Sequence, residues 1–117
     1  MNGIADQYAA LKLELHRDTS FHSNPNMWLR HRAYKDIVAL GQAVVPLILA
    51  DLKKSLETGA HEDYPGWWCM YALPEITGDR IPIGGDEVKL EDGFFKVTVD
   101  AVSRWWVECG RKKGLIN

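Results

Sequence analysis

Residues 24–56, NPNMWLRHRAYKDIVALGQAVVPLILADLKKSL, decide the fold of this 117-residue chain. Asn24-Pro25 reads as a helix N-cap followed by proline at the first helical position, where a missing backbone donor costs little. Leu29, Ala33, Ile37 and Leu40 then recur at helical spacing and predict a buried stripe, while Arg30, Arg32, Lys35 and Asp36 mostly fall on other faces. Gly41 predicts the end of this helix, since glycine tolerates the left-handed cap conformation. Val45, Ile48, Leu49, Leu52 and Leu56 resume the period in a third helix from about Ala43 to Leu56, with Pro46 near its first turn. Two amphipathic helices joined by so short a connection are expected to turn back on one another as an antiparallel hairpin.

Towards the N-terminus, Ile4, Tyr8, Leu11 and Leu15 place one apolar side on a helix from about Gly3 to His16, and the mostly polar Arg17 to Ser23 reads as a loop. In the other direction, Glu57 to Gly66 is rich in Gly, Pro and acidic residues and predicts a second loop. Helix four is expected near Trp67 to Ile76, carrying Trp68, Tyr71, Ala72 and Ile76, with a kink or break at Pro74. Thr77-Gly78-Asp79 closes it: glycine stops the helix, while Thr77 and Asp79 satisfy free backbone groups. The irregular stretch after Arg80 contains a short hairpin, Glu87 to Leu90 against Phe94 to Val97, turned by Asp92-Gly93. The last helix, about Thr98 to Lys113, carries Val102, Trp105, Trp106 and Cys109, with Arg111, Lys112 and Lys113 in its final turn and Gly114 as its stop. The expected fold is therefore all-α over a single domain, residues 1–117: an N-terminal helix followed by two stacked antiparallel hairpins, with a short β-hairpin in the 83–97 region.

Composition bounds the function. With 46% hydrophobic and 26% charged residues the chain is an ordinary globular one. Its net charge of -2 gives no overall basic footprint for phosphate backbones. The start of the sequence lacks the basic segment, apolar run and cleavage site of a signal peptide, and no run of 18 apolar residues occurs, so the cytoplasm is the expected location. Cys69 and Cys109 lie in apolar helical stretches without metal-ligand spacing and read as buried free thiols.

No motif carries catalysis. His16, His22, His31 and His61 are scattered, with no pairing at metal-ligand spacing, and His61-Glu62-Asp63 reads as a solvated acidic turn. There is no Gly-x-Ser-x-Gly, no cysteine in a loop beside a histidine, and Gly84-Gly85 is not followed by the Lys-Ser/Thr of a phosphate-binding loop. The sequence thus predicts no enzyme, no metal and no cofactor. Five tryptophans are the compositional oddity, four of them in the adjacent pairs Trp67-Trp68 and Trp105-Trp106. Neighbours on a helix point about 100° apart, so one of each pair is expected at the edge of the core, where it either fills the interface between helices four and five or anchors a partner. Arg30, His31, Arg32 and Lys35 form one basic group and Arg104, Arg111, Lys112 and Lys113 another. They either solvate exposed faces or, if they share a face, hold nucleic acid.

HRAYKDIVALGQAVVPLIL at 31–49, WWCMYALPEITGDRIP at 67–82, a glycine at 93 and SRWWVECGRKKG at 103–114 together resemble a large group of uncharacterised small bacterial proteins. The likeness covers most of the chain, and its Gly-x-x-Val-x-Pro connection is also similar to a HEAT-type helical repeat. It implies a HEAT-like helical fold and brings no activity or site residue with it. Two places depart from the group: Pro74 stands where a charged residue is usual, and Ile83 to Val97 is longer and more strand-like.

These readings rank a non-enzymatic protein-interaction module first, of antitoxin, immunity, anti-defence or adaptor type, acting on a larger protein partner. Its candidate contacts are Arg30, His31, Lys35, Trp67, Arg80, Arg104 and Trp106. The alternative is a nucleic-acid-binding helical protein using its basic faces. A short helical stack also leaves its ends uncovered unless polar residues cap them, which makes self-association a further alternative.

Overall fold

Local signals place most of the elements. The computed structural model describes residues 3–19, 29–59 and 68–116. It is mostly helical: α1 spans Ile4–Thr19, α2 Arg32–Ala39, α3 Val45–Thr58, α4 Cys69–Thr77 and α5 Val99–Lys112, with a 3-10 turn at Gly41–Val44 before α3. Between α4 and α5 lies a three-stranded antiparallel sheet in the order β1-β2-β3, formed by Ile83–Gly84, Glu87–Leu90 and Gly93–Lys96.

The expected hairpin of strands is present, in the register Glu87↔Lys96, Val88↔Phe95, Lys89↔Phe94 and Leu90↔Gly93. Because Leu90 pairs with Gly93, the turn residues are Glu91 and Asp92 rather than Asp92-Gly93. The fold is thus not purely α: the added strand β1 makes a small sheet whose middle strand packs on α5.

α1 runs three residues past the expected His16, so Arg17 to Thr19 are helical rather than loop. The proposed start of helix two at Asn24-Pro25 lies outside the described residues. α2 itself begins at Arg32, because His31 adopts an extended backbone, ψ 138°, and caps it with its ring Nδ1 accepting from the Ala33 amide at 3.0 Å. α2 ends where predicted: Gly41 has φ 70°, a backbone position that costs a side-chain-bearing residue steric strain.

The larger correction concerns direction. The 3-10 turn carries the chain round a corner of 103° between α2 and the segment Gly41–Thr58, not through the antiparallel return of a hairpin. The helices pair accordingly: α1 packs on α2, α4 packs on α2 and α3, and α5 packs on α3.

The main core is the apolar stripe read from sequence, extended by residues the period alone did not select. Ala33, Ile37, Val44, Val45, Ile48, Leu49 and Leu52 are buried with Leu15, Trp68, Cys69, Ala72 and Leu73. Tyr34 joins them; its hydroxyl donates to Glu75 at 2.9 Å and ties α2 to α4. Tyr71, expected on the inner face of helix four, is instead 45% exposed. α4 runs through Pro74 without a break, although the proline withholds a hydrogen bond from the Met70 carbonyl. At the end of α4 Thr77 donates to the Leu73 carbonyl and accepts from the Asp79 amide. Asp79, expected to serve turn backbone, directs its carboxylate to Lys113.

α5 approaches α3 closely because Gly110 faces it. A Cβ built on Gly110 would lie 2.5 Å from Leu49 Cδ1, inside the packed core, so any side chain there forces repacking. A glycine inside a helix costs about 1 kcal/mol relative to alanine, which is the sequence signal that a close contact needs it. A second, smaller core joins Val88 and Leu90 of β2 to Ala101 of α5, and Ile81 and Trp105 pack against both cores.

Candidate interaction surface

The predicted contact residues do not converge. Arg30 and Lys35 are exposed at and on α2, and Arg80 is exposed just after α4. Arg104 lies on α5, whose packing partners are α3 and β2. It donates to Asp92 at 2.9 Å and stacks over the Phe95 ring at 5.1 Å, and so fastens the β2–β3 turn to the helix. Trp106 is only 3% exposed and leaves the surface set: its ring packs edge-on to Trp105 at 5.0 Å inside the main core. Of that pair, Trp105 is the half-buried edge residue. Trp67 lies outside the described residues. Its neighbour Trp68 is buried against the edge of Tyr8, with ring centroids 6.2 Å apart.

His31 is a joint of the fold. With Nδ1 accepting from Ala33, the ring proton sits on Nε2 and donates to Asp18 at 2.9 Å, latching α2 onto the end of α1. Glu14, Asp18 and His31 bring three ligand-type atoms within 4.8 Å of one another. The arrangement works against a metal. Nε2 offers a proton instead of a lone pair, and the carboxylates already face Arg32 at 3.6 Å and Arg17 at 3.2 Å. The hydrogen bond from His31, then that from Arg17, holds the Asp18 carboxyl below its ordinary value of 3.8.

The other polar clusters bind elements together in the same way. Tyr8 donates to Asp51 at 2.6 Å and Lys12 reaches the same oxygen at 2.8 Å, fixing α1 across α3. Burial first, then the bond to Asp51, pushes the Tyr8 phenol well above its ordinary range; burial and Glu75 do the same for Tyr34. Cations of both basic groups are met by carboxylates: Arg32 by Glu14 and Asp36, Arg104 by Asp92, Lys113 by Asp79. The two groups stand at or beside α2 and α5, which are packed against different neighbours. Cys69 is fully buried, Cys109 is half-buried, and both are free thiols.

Two of the open concavities among the described residues bear on binding. One, of about 340 Å³, lies between β2 and α5 and is lined by Lys89, Glu91, Trp105, Glu108, Cys109 and Lys112, with its charges balanced. The other, of about 480 Å³, runs along the seam of α1 and α2. Half-buried Leu11 and Leu40 line it with exposed Ala10 and Ala39, and Asp6 and Asp36 add two carboxylates. Its signal in the sequence was weak, because alanines on the outer face of a helix read as good helix formers and nothing more.

The chain matches no protein-family model, no curated protein and no solved structure. Among the described residues no single helix is long and apolar enough to cross a membrane.

Proposed function

We propose that this chain is a non-enzymatic interaction module of antitoxin, immunity, anti-defence or adaptor type, working in the cytoplasm on a larger protein partner. The observation that carries the reading is the groove between α1 and α2. Small residues there let another backbone come close, leucines supply apolar area, and Asp6, beside an Asp36 shared with Arg32, favours a segment with Lys or Arg beside its apolar ridge. An amphipathic basic helix has that chemistry. HEAT-like stacking of hairpins would support the same conclusion, but the 103° corner at Gly41 removes that argument, so the groove bears it alone. Nucleic-acid binding ranks second, since the basic residues are divided between separate elements and Arg32, Arg104 and Lys113 are matched by carboxylates.

The test is capture from the native host with tagged wild-type chain and with Ala39→Arg, each with and without nuclease, followed by mass spectrometry. Ala39 is exposed, so the substitution fills the groove without touching the core. The expected result is one protein retained by the wild type after nuclease and lost with Ala39→Arg. Equal retention by both, or retention of nuclease-sensitive material alone, overturns the reading.

A further inference from the structure

β3 is an edge of the sheet, and its backbone register fixes what the edge offers. The Val97 amide donates to the Asp86 carbonyl at 2.8 Å, which extends the β2–β3 ladder by one pair. In an antiparallel ladder hydrogen-bonded and non-hydrogen-bonded pairs alternate. Residues 93, 95 and 97 therefore spend their amides and carbonyls on β2, and those of Phe94 and Lys96 point away from the sheet. Among the described residues nothing pairs with that outer edge. Phe94 is also 67% exposed, and its ring carries Lys89 at 4.7 Å.

We propose that this edge pairs with β3 of a second copy of the chain, antiparallel across a two-fold axis through Phe95. Of the registers that join outward amides and carbonyls, the one centred on Phe95 uses those of both Phe94 and Lys96 within the strands. With Phe94 opposite Lys96 of the second copy, and the reverse, each pair exchanges two backbone hydrogen bonds, four in all. The same register makes the side chains complementary. Phe94 then lies between its own Lys89 and Lys96 of the other copy, a cation on either side of one ring. On the opposite face the two half-buried Phe95 rings meet in the closer, non-hydrogen-bonded pair. A register shifted by two to centre on Lys96 would set two lysines face to face. The proposal is independent of the α1/α2 groove, so either can fail alone.

Sedimentation equilibrium from roughly 10 µM to 1 mM tests it, because so small an interface corresponds to a dissociation constant on the order of 100 µM. The mass is expected to rise with concentration from 13.3 kDa toward that of two chains. Three variants probe the register, with far-UV circular dichroism holding each to the wild-type fold. Phe94→Lys places like charges opposite each other and is expected to weaken the dimer at least tenfold. Phe94→Glu places a carboxylate opposite Lys96 and is expected to retain it. Lys96→Pro removes an amide that faces away from β2, so the hairpin stands while two of the four intermolecular bonds and both lysine contacts vanish. A wild-type mass of one chain throughout overturns the proposal, as does equal loss in Phe94→Lys and Phe94→Glu, or a dimer that Lys96→Pro leaves intact.

Discussion

The helical body and the sheet end of this molecule are built on different scales. In the body, side chains from α1 to α5 interlock in one core in which Leu15, Ile37, Ile48, Leu49, Leu52 and Leu73 are all fully buried. The sheet end closes over only Val88, Leu90 and Ala101, and leans on α5 for its second layer. A three-stranded sheet with two-to-four-residue strands has too little apolar area to stand by itself. Helix α5 therefore serves two cores, and the hydrogen bond from Arg104 to Asp92 and that from the Glu91 amide to Glu108 clip the β2–β3 turn onto it. Stability should be graded accordingly, with global unfolding set by the body and local opening confined to the strands.

The largest effect is expected at Leu52, fully buried on α3. Leu52→Ala should cost about 3 kcal/mol in denaturant unfolding, since the site is enclosed and collapses little. A loss below about 1 kcal/mol would mean that the body is looser than its packing indicates. Val88→Ala sharpens the contrast. It should cost about 2 kcal/mol at the sheet, seen as faster amide hydrogen exchange in β2 and β3, while protection in α2 and α3 holds. If α2 and α3 lose protection equally, the two regions form one cooperative unit and the comparison fails.

The smallest effect belongs to the latch at the end of α1. The Asp18 carboxyl is held below 3.8 in the folded chain, so it binds its proton less readily there than when unfolded. Its contribution is present above the unfolded value and fades as pH falls through the depressed folded one. Melting curves of wild type and Asp18→Asn should differ slightly near neutral pH and converge as the pH falls through and below the depressed folded value. A difference that is constant with pH would assign the effect to something other than that charge.

Much of this was legible in the sequence, and the parts that were not share a cause. Thr98 caps α5 by accepting from the Ala101 amide, and Gly41 and Gly114 take the positive φ expected beyond α2 and α5. The middle of each stripe, Ala33 and Ile37 on α2 and Val45, Ile48, Leu49 and Leu52 on α3, is buried as the spacing predicts, with Leu29, Leu40 and Leu56 half-buried at the ends, and the β2–β3 hairpin stands within one residue of its expected place. Each of these depends on backbone conformation and on neighbours within a turn or two, which composition and spacing report. The sequence by itself thus determined where most of the described elements lie and which faces of them are apolar.

The tertiary structure alone decided how those faces meet. The chain turns a corner of 103° at Gly41 instead of reversing, and α2 packs on α1 and α4 while α3 packs on α4 and α5. Burial of Trp106 with Trp105 left at the edge depends on where α3 and β2 meet α5, because adjacent side chains on a helix are equally apolar in sequence and differ only in direction. His31 became a cap and a latch, and the basic residues became a dispersed set in which Arg32 and Arg104 meet carboxylates, through contacts with residues distant in the chain. Periodicity carries no information on such partners, since they are fixed by long-range packing rather than by local backbone preference.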